Sequence, residues 1–280
     1  MQIATAETKE RSDMYPLPAA LIVLALLLAG ALIGVVIRPL LPEEHKAHQT
    51  VQLVHLIDGM LVTFAALVLG LMTASAKTTF DNASDDFRVL ASDLVQFDDT
   101  ARQYGQEADS VRRLMQTYVA ATIASTWRHE PPPPGSYYPT SLAPKDVTEN
   151  LDDPQLDRML NSVGREWRRL VAHDRSHQDL LDDGREQFSR VVQAHWKLIQ
   201  EVHSSISLPF FMTLAFWLFV IFLSFGLAAP RNMLVLVTII LGATSIASVA
   251  YVIVDLDTLF RGIIVVSSQP LRDALNALVR

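Results

Sequence analysis

The sequence predicts an all-α polytopic membrane protein, with four transmembrane helices and a helical cytoplasmic domain between spans two and three. Three observations carry this reading. Half of the 280 residues are hydrophobic and only 19% are charged, below the roughly 25% charge of soluble domains. Four uncharged stretches approach or exceed the roughly 20 residues that a helix needs to cross a hydrocarbon core of about 30 Å. Between the second and third stretches, apolar residues recur at spacings of three and four, without the alternation of a strand.

The elements follow in order. Residues 1–16 form an N-terminal tail. The first span, 17–37, ends at Arg38-Pro39. It is longer than a secretory h-region of about 7–15 residues, and no small-residue cleavage site follows it. The second, 59–76, lies between Asp58 and Lys77, and together the first two spans make a membrane segment 17–76. The third lies within the uncharged stretch 204–230, and the fourth covers 232–254, so that 204–254 forms a hairpin. The link between them is too short for anything but antiparallel helices. With four spans, both termini and the segment 77–203 share one side. Excluding that long segment, the shared side carries Lys9, Arg11, Arg261, Arg272 and Arg280, and the other carries Arg38, Lys46 and Arg231. The excess of basic residues places the termini, including the C-terminal segment 255–280, in the cytoplasm.

Segment 77–203 has 15 basic and 21 acidic residues, a net charge of −6 that makes up most of the chain's −7. Four consecutive prolines and Gly135 (131–135) mark a linker, because proline cannot continue a helix. Before it, Val89, Leu94, Phe97, Tyr104, Val111, Leu114, Met115 and Tyr118 form an apolar stripe. After it, Asp153-Pro154 reads as a cap and a first-turn proline. A second stripe follows: Leu156, Leu160, Val163, Trp167, Leu170, Leu181, Phe188, Val191 and Trp196. No strong breaker separates Ala76 from the first stripe or the second stripe from Leu208. The helices of spans two and three are therefore expected to continue into this domain, with Gly105, Gly164 and Gly184 as places for kinks.

Composition excludes several functions. An acidic chain lacks the basic surface that nucleic acid requires. Without cysteine there is no disulfide, thiolate metal site or thiol nucleophile. No phosphate loop, dinucleotide glycine pattern or nucleophile elbow occurs, so no enzyme activity and no cofactor are expected. His173 and His177 have ligand spacing on a helix, but a solvated charged face explains them equally, and no metal is assigned.

Two polar stripes remain. In span two, Gly59, Thr63, Ala66, Gly70, Thr73 and Lys77 share one helix face. Small residues there serve either close helix packing or a pore wall, where hydroxyls replace ion hydration. In span four, Thr244, Ser248, Tyr251 and Asp255 form one polar edge. It serves either interhelical hydrogen bonds or a path to a carboxylate. Asp58, with His55 three residues earlier, lies at the start of span two, where a carboxylate within a membrane segment points to an ion- or proton-linked role. Asp257 and Arg261 are spaced for an i,i+4 ion pair. Phe80 and Phe87, below span two, are candidates for a constriction.

The string Asp255-Leu256-Asp257-Thr258-Leu259-Phe260-Arg261-Gly262, followed by Ser267-Ser268-Gln269-Pro270, comes directly after the apolar hairpin. With Leu69-Gly70-Leu71 at the end of span two, it resembles the bestrophin-like family of bacterial inner-membrane proteins, over a region from span one to Leu278. The resemblance implies a remote relation to bestrophins, which are oligomeric ion channels, usually pentamers, with cytoplasmic termini and a large segment between spans two and three. No match to their calcium clasp or hydrophobic neck is found, so neither is carried over.

The expectation is an oligomeric inner-membrane protein that conducts or transports small ions, embedded in lipid and assembled with copies of itself. The alternative is a membrane-anchored interaction or signalling scaffold whose cytoplasmic helices bind a soluble partner.

Overall fold

The computed structural model describes residues 16–40, 48–136, 138, 153–203, 208–230, 232–260 and 262–280. They form eight α-helices: α1 (Pro16–Ile37), α2 (His48–Tyr104), α3 (Asp109–Thr126), α4 (Pro154–Trp167), α5 (Arg175–His203), α6 (Leu208–Ala228), α7 (Met233–Asp257) and α8 (Gln269–Val279). No strand occurs among the described residues. Four helices are long and apolar enough to cross a membrane: Pro16–Leu40, Gln52–Tyr104, Pro209–Ala228 and Met233–Asp257. The expected all-α polytopic class is the one observed. The N-terminal tail, the junction 204–207 and Arg261, with its pairing to Asp257, lie outside the described residues.

The chain divides into two compact units. One comprises Met1–Thr79 and Ser205–Val265, the other Phe80–Ser204 and Val266–Arg280. In the membrane unit α1 packs against α6 and α7. Hydrocarbon gives no hydrophobic drive between helices, so association depends on close van der Waals fit. Gly30 and Gly34 on α1 and Gly226 on α6 supply that fit: a Cβ at Gly30 would lie 2.9 Å from the Phe219 carbonyl oxygen, and one at Gly226 would overlap the Ala31 carbonyl.

The second unit has a conventional apolar core. Phe87, Leu90, Leu94 and Phe97 from α2, Met115 and Tyr118 from α3, Leu156 and Trp167 from α4 and Leu198 from α5 are all buried. Phe97 meets Trp167 edge-on at 5.1 Å and Phe188 at 5.6 Å. The two apolar stripes supply most of this core, but Val89 and Trp196 face outward. Gly105 ends α2 in a left-handed conformation (φ 106°), and 168–174 separate α4 from α5, so the interruption after the linker falls between Gly164 and Gly184 and at neither glycine. Gly164 and Gly184 do not break their helices. They are contact points, with Gly164 against the Phe188 ring and Gly184 against the Trp167 ring. At the start of α4, Asp153 Oδ1 accepts the Gln155 N–H (2.7 Å) ahead of Pro154, as its sequence predicts.

Helix α8 is held at both ends. Arg112 donates to the Leu278 carbonyl (3.1 Å), as does Gln116 (2.7 Å), which satisfies one of the backbone oxygens that a helix C-terminus leaves bare. Asp98 is buried and holds the arginines in place, accepting from Arg102 (2.8 Å) and from Arg112 through two nitrogens (2.8 and 3.3 Å). At the other end, Glu130 accepts from Ser268 and from Arg272 (3.0 Å), and Trp127 Nε1 donates to the Val266 carbonyl (2.6 Å). The Ser267-Ser268-Gln269-Pro270 string is therefore the start of α8 and its anchor to the end of α3.

Candidate functional site

Helix α2 has two faces in the membrane unit. Asp58, Ala65, Met72 and Ala76 are buried, spaced seven, seven and four, and so lie on one side. Gly59, Thr63, Ala66, Gly70 and Lys77 are exposed, with Thr73 half-buried. A Cβ at Gly59 or Gly70 would meet nothing within 4 Å. The glycines of the span-two stripe thus make no close packing contact within the chain. Close packing falls instead to Gly30, Gly34 and Gly226, whose signal in the sequence is the Gly-x-x-x-Gly spacing at 30 and 34. The hydroxyls of the stripe bond to their own helix: Thr63 Oγ1 donates to the Gly59 carbonyl (2.8 Å) and Thr73 Oγ1 to the Leu69 carbonyl (2.8 Å). With their protons committed to the backbone, they present lone pairs outward.

Helix α7 repeats the pattern. Thr244 and Ser248 are exposed and Tyr251 is half-buried. Thr244 donates to the Ile240 carbonyl (2.9 Å) and Ser248 to that of Ser245 (2.7 Å). Asp255 lies on this same face, yet it is fully buried. The chain after α7 folds back over it. Asp255 Oδ1 accepts the Ile263 N–H (3.1 Å) and Oδ2 the Ile264 N–H (2.9 Å), while Tyr251 reaches Oδ1 at 3.4 Å. Gly262, at φ 117°, lies so close that a side chain there would overlap the carboxylate. In this geometry Asp255 is a clamp for the returning loop. The polar edge of α7 therefore ends at a carboxylate that the loop covers. Asp257 is half-buried.

Asp58 is buried, with Ser224 of α6 beside it and His55 exposed near it. Ser224 gave no signal in the sequence, since a lone serine in an aromatic-rich span has no characteristic spacing. Phe87 is corrected as a constriction residue: it is wholly buried, edge-on to Trp127 at 4.9 Å, and so has no surface to offer a pore. Phe80 is half-buried. His173 pairs with Glu107 (2.9 Å) and His177 with Asp174 (2.8 Å). Among the described residues, no group of three or more His, Asp or Glu side chains has an arrangement that would hold a metal ion.

The bestrophin-like domain family model matches residues 24–271, which include spans two to four, the greater part of span one and the loop clamped by Asp255. The chain belongs to the bestrophin-like family. Its fold is shared with a bacterial bestrophin homologue from Klebsiella pneumoniae. The crystal structure of a variant of that homologue with alanine in place of one tryptophan has a TM-score of 0.65 at 12% identity, covering 96% of this chain and 98% of that one. A second variant, with threonine in place of one isoleucine, has a TM-score of 0.63 at 14% identity, covering 93% and 99%. A crystal structure described as a membrane protein with a glycine-to-alanine substitution has a TM-score of 0.62 at 14% identity, covering 92% and 97%. No curated protein matches the chain. Within the matched region, Asp255 is the clamp and Gly262 its turn, and Ser267 to Pro270 is the anchor of α8.

Proposed function

We propose that this bestrophin-like chain is one subunit of an oligomeric, non-enzymatic ion channel of the bacterial inner membrane, with its termini and second unit on the cytoplasmic side. The observation that carries this is the α2 face of Gly59, Thr63, Ala66, Gly70 and Thr73, which is small and polar, and open at both glycines. Lys77 ends the same face. A lipid-facing helix is normally covered with large apolar side chains, whereas a face of glycines and hydroxyls suits either a neighbouring helix or water. Copies arranged around an axis, five by analogy with bestrophins, would bring these faces together as a pore wall. Thr244 and Ser248 of α7 would support it, while Asp58 lies on the buried side of α2, away from the open face.

Two features favour cations. Lone pairs directed outward from Thr63 and Thr73 solvate positive ions. The net charge of −6 on 77–203 would raise the cation concentration on the side of the membrane that holds this segment.

The test is current through purified protein in planar bilayers under a salt gradient. A reversal potential on the cation side, with conductance reduced by Gly70→Leu at unchanged assembly, is expected. No current under any salt or pH would refute the channel reading and favour the membrane-anchored scaffold.

A further inference from the structure

The second unit contains a buried polar chain that the ion path does not use. His195 of α5 has no exposed surface. Its Nδ1 lies 2.9 Å from the Tyr118 hydroxyl of α3, and its Nε2 lies 3.1 Å from Asp157 Oδ1 of α4. Tyr118 is also buried. The order is Tyr118, His195, Asp157. Only Asp157 reaches solvent, with its side chain 27% exposed.

Each ring nitrogen keeps a partner in either charge state. With neutral His195, Tyr118 donates to Nδ1 and Nε2–H donates to Asp157. With charged His195, both ring N–H groups donate, to the Tyr118 oxygen and to Asp157. Burying a charge is costly unless it is paired and hydrogen-bonded, and here the cation would be both. The proton would enter at Asp157 from solvent. Asp157 also lies in the first turn of α4, where the helix dipole favours a carboxylate. Other charged groups nearby are already matched. On α5, Lys197 holds Asp86 of α2 (2.7 Å), and Arg190 holds Glu186 of its own helix (2.9 Å) and lies 3.6 Å from Asp93 of α2. Burial holds the Tyr118 hydroxyl well above the ordinary phenol range, so it stays a neutral donor.

We infer that His195 is a reversible proton-binding site at the centre of the second unit, and that its charge state is linked to the seating of α4 on α3 and α5. This holds whether or not the chain conducts ions.

The test is solid-state NMR of the full chain in lipid vesicles, labelled with nitrogen-15 at its eight histidines. Signals are assigned by difference from His195→Gln. At pH 8, His195 should show one protonated and one bare ring nitrogen. At pH 5 both should be protonated, and the change should reverse. Asp157→Asn removes a neighbouring negative charge and should lower the midpoint by about one pH unit or more. Tyr118→Phe, which leaves Nδ1 without a partner, should lower it as well. If His195→Gln fails to assemble, the signal that moves in Asp157→Asn identifies the site. His195 nitrogens that stay in one state from pH 8 to pH 5, or an Asp157→Asn variant in which no signal's midpoint moves, would overturn the inference.

Discussion

Substitution of Gly34 by alanine tests the account of the membrane unit most directly. The added Cβ would lie 2.7 Å from the Leu227 nitrogen and 2.9 Å from the Gly226 carbonyl carbon, with the Leu223 carbonyl oxygen closer still. Ordinary contact begins at 3.4 Å, so α1 and α6 must part by about 0.7 Å or more. A gap of about 0.5–1 Å forfeits roughly a quarter to a half of each van der Waals contact across the seam. All the opposing atoms are backbone, and none can rotate away. Overpacking of this kind costs about 1–3 kcal/mol, and the rigid surroundings place Gly34→Ala near the top of that range. Alanine's better helix propensity returns up to about 1 kcal/mol. The net loss is then about 2 kcal/mol, or about 4–8 °C in Tm at 2–4 °C per kcal/mol. Scanning fluorimetry in detergent reads this, with Gly70→Ala as the control. Nothing lies within 4 Å of that position, so the control should melt at or slightly above the native temperature. An unchanged Tm for Gly34→Ala, or a lower one for Gly70→Ala than for Gly34→Ala, would refute the assignment of packing to α1 and of the open face to α2.

Other outcomes follow from the polar anchors. Asp98→Ala leaves Arg112 without its carboxylate at a largely buried position and should cost about 3 kcal/mol. Hydrogen exchange should quicken first in α8, and an α8 that exchanges at the native rate would contradict the role given to Asp98. Asp255→Asn removes the acceptor for one of two backbone N–H groups and should lower stability by about 1–3 kcal/mol. Faster proteolysis within 258–264 is the accompanying sign, and a loop as resistant as the native one would count against the clamp. Asp174 is held below the ordinary carboxylate range by the His177 backbone N–H, and then by the His177 side chain. Its contribution is therefore complete above the unfolded value of 3.8 and is lost as pH falls through the lower folded value. The protection factor of the His177 amide, its exchange relative to the intrinsic rate at each pH, should fall between pH 5 and pH 2.5, and a rise would reverse the sign of the argument.

Much of the fold is legible along the chain. The four spans appear because hydrocarbon demands long uncharged runs, and no distant residue can substitute for them. The start of α4 appears because Asp153 and Pro154 act on their own backbone. The core stripes of α2 to α5 appear because helical periodicity is local, although Val89 and Trp196 lie within the pattern and still face outward. The candidate site is legible only as a set of helix faces. The stripe that begins at Gly59 can be seen, but spacing alone does not tell packing from exposure. That distinction depends on whether another helix occupies the face. In this chain α6 occupies the glycine face of α1, while Gly59 and Gly70 of α2 meet no neighbour within the subunit.

The linear pattern thus determined which segments leave water, which residues share a side of each helix, and the acidic balance of 77–203. The tertiary structure alone decided that Asp255 is covered by the loop it holds, that Phe87 belongs to a core, that Asp58 meets Ser224, and that His195 lies between Tyr118 and Asp157. The physical reason is range. Hydropathy and helical period act over a few neighbouring residues. Burial of a charge depends on partners 8 to 166 positions away, and no local spacing encodes which of them arrives.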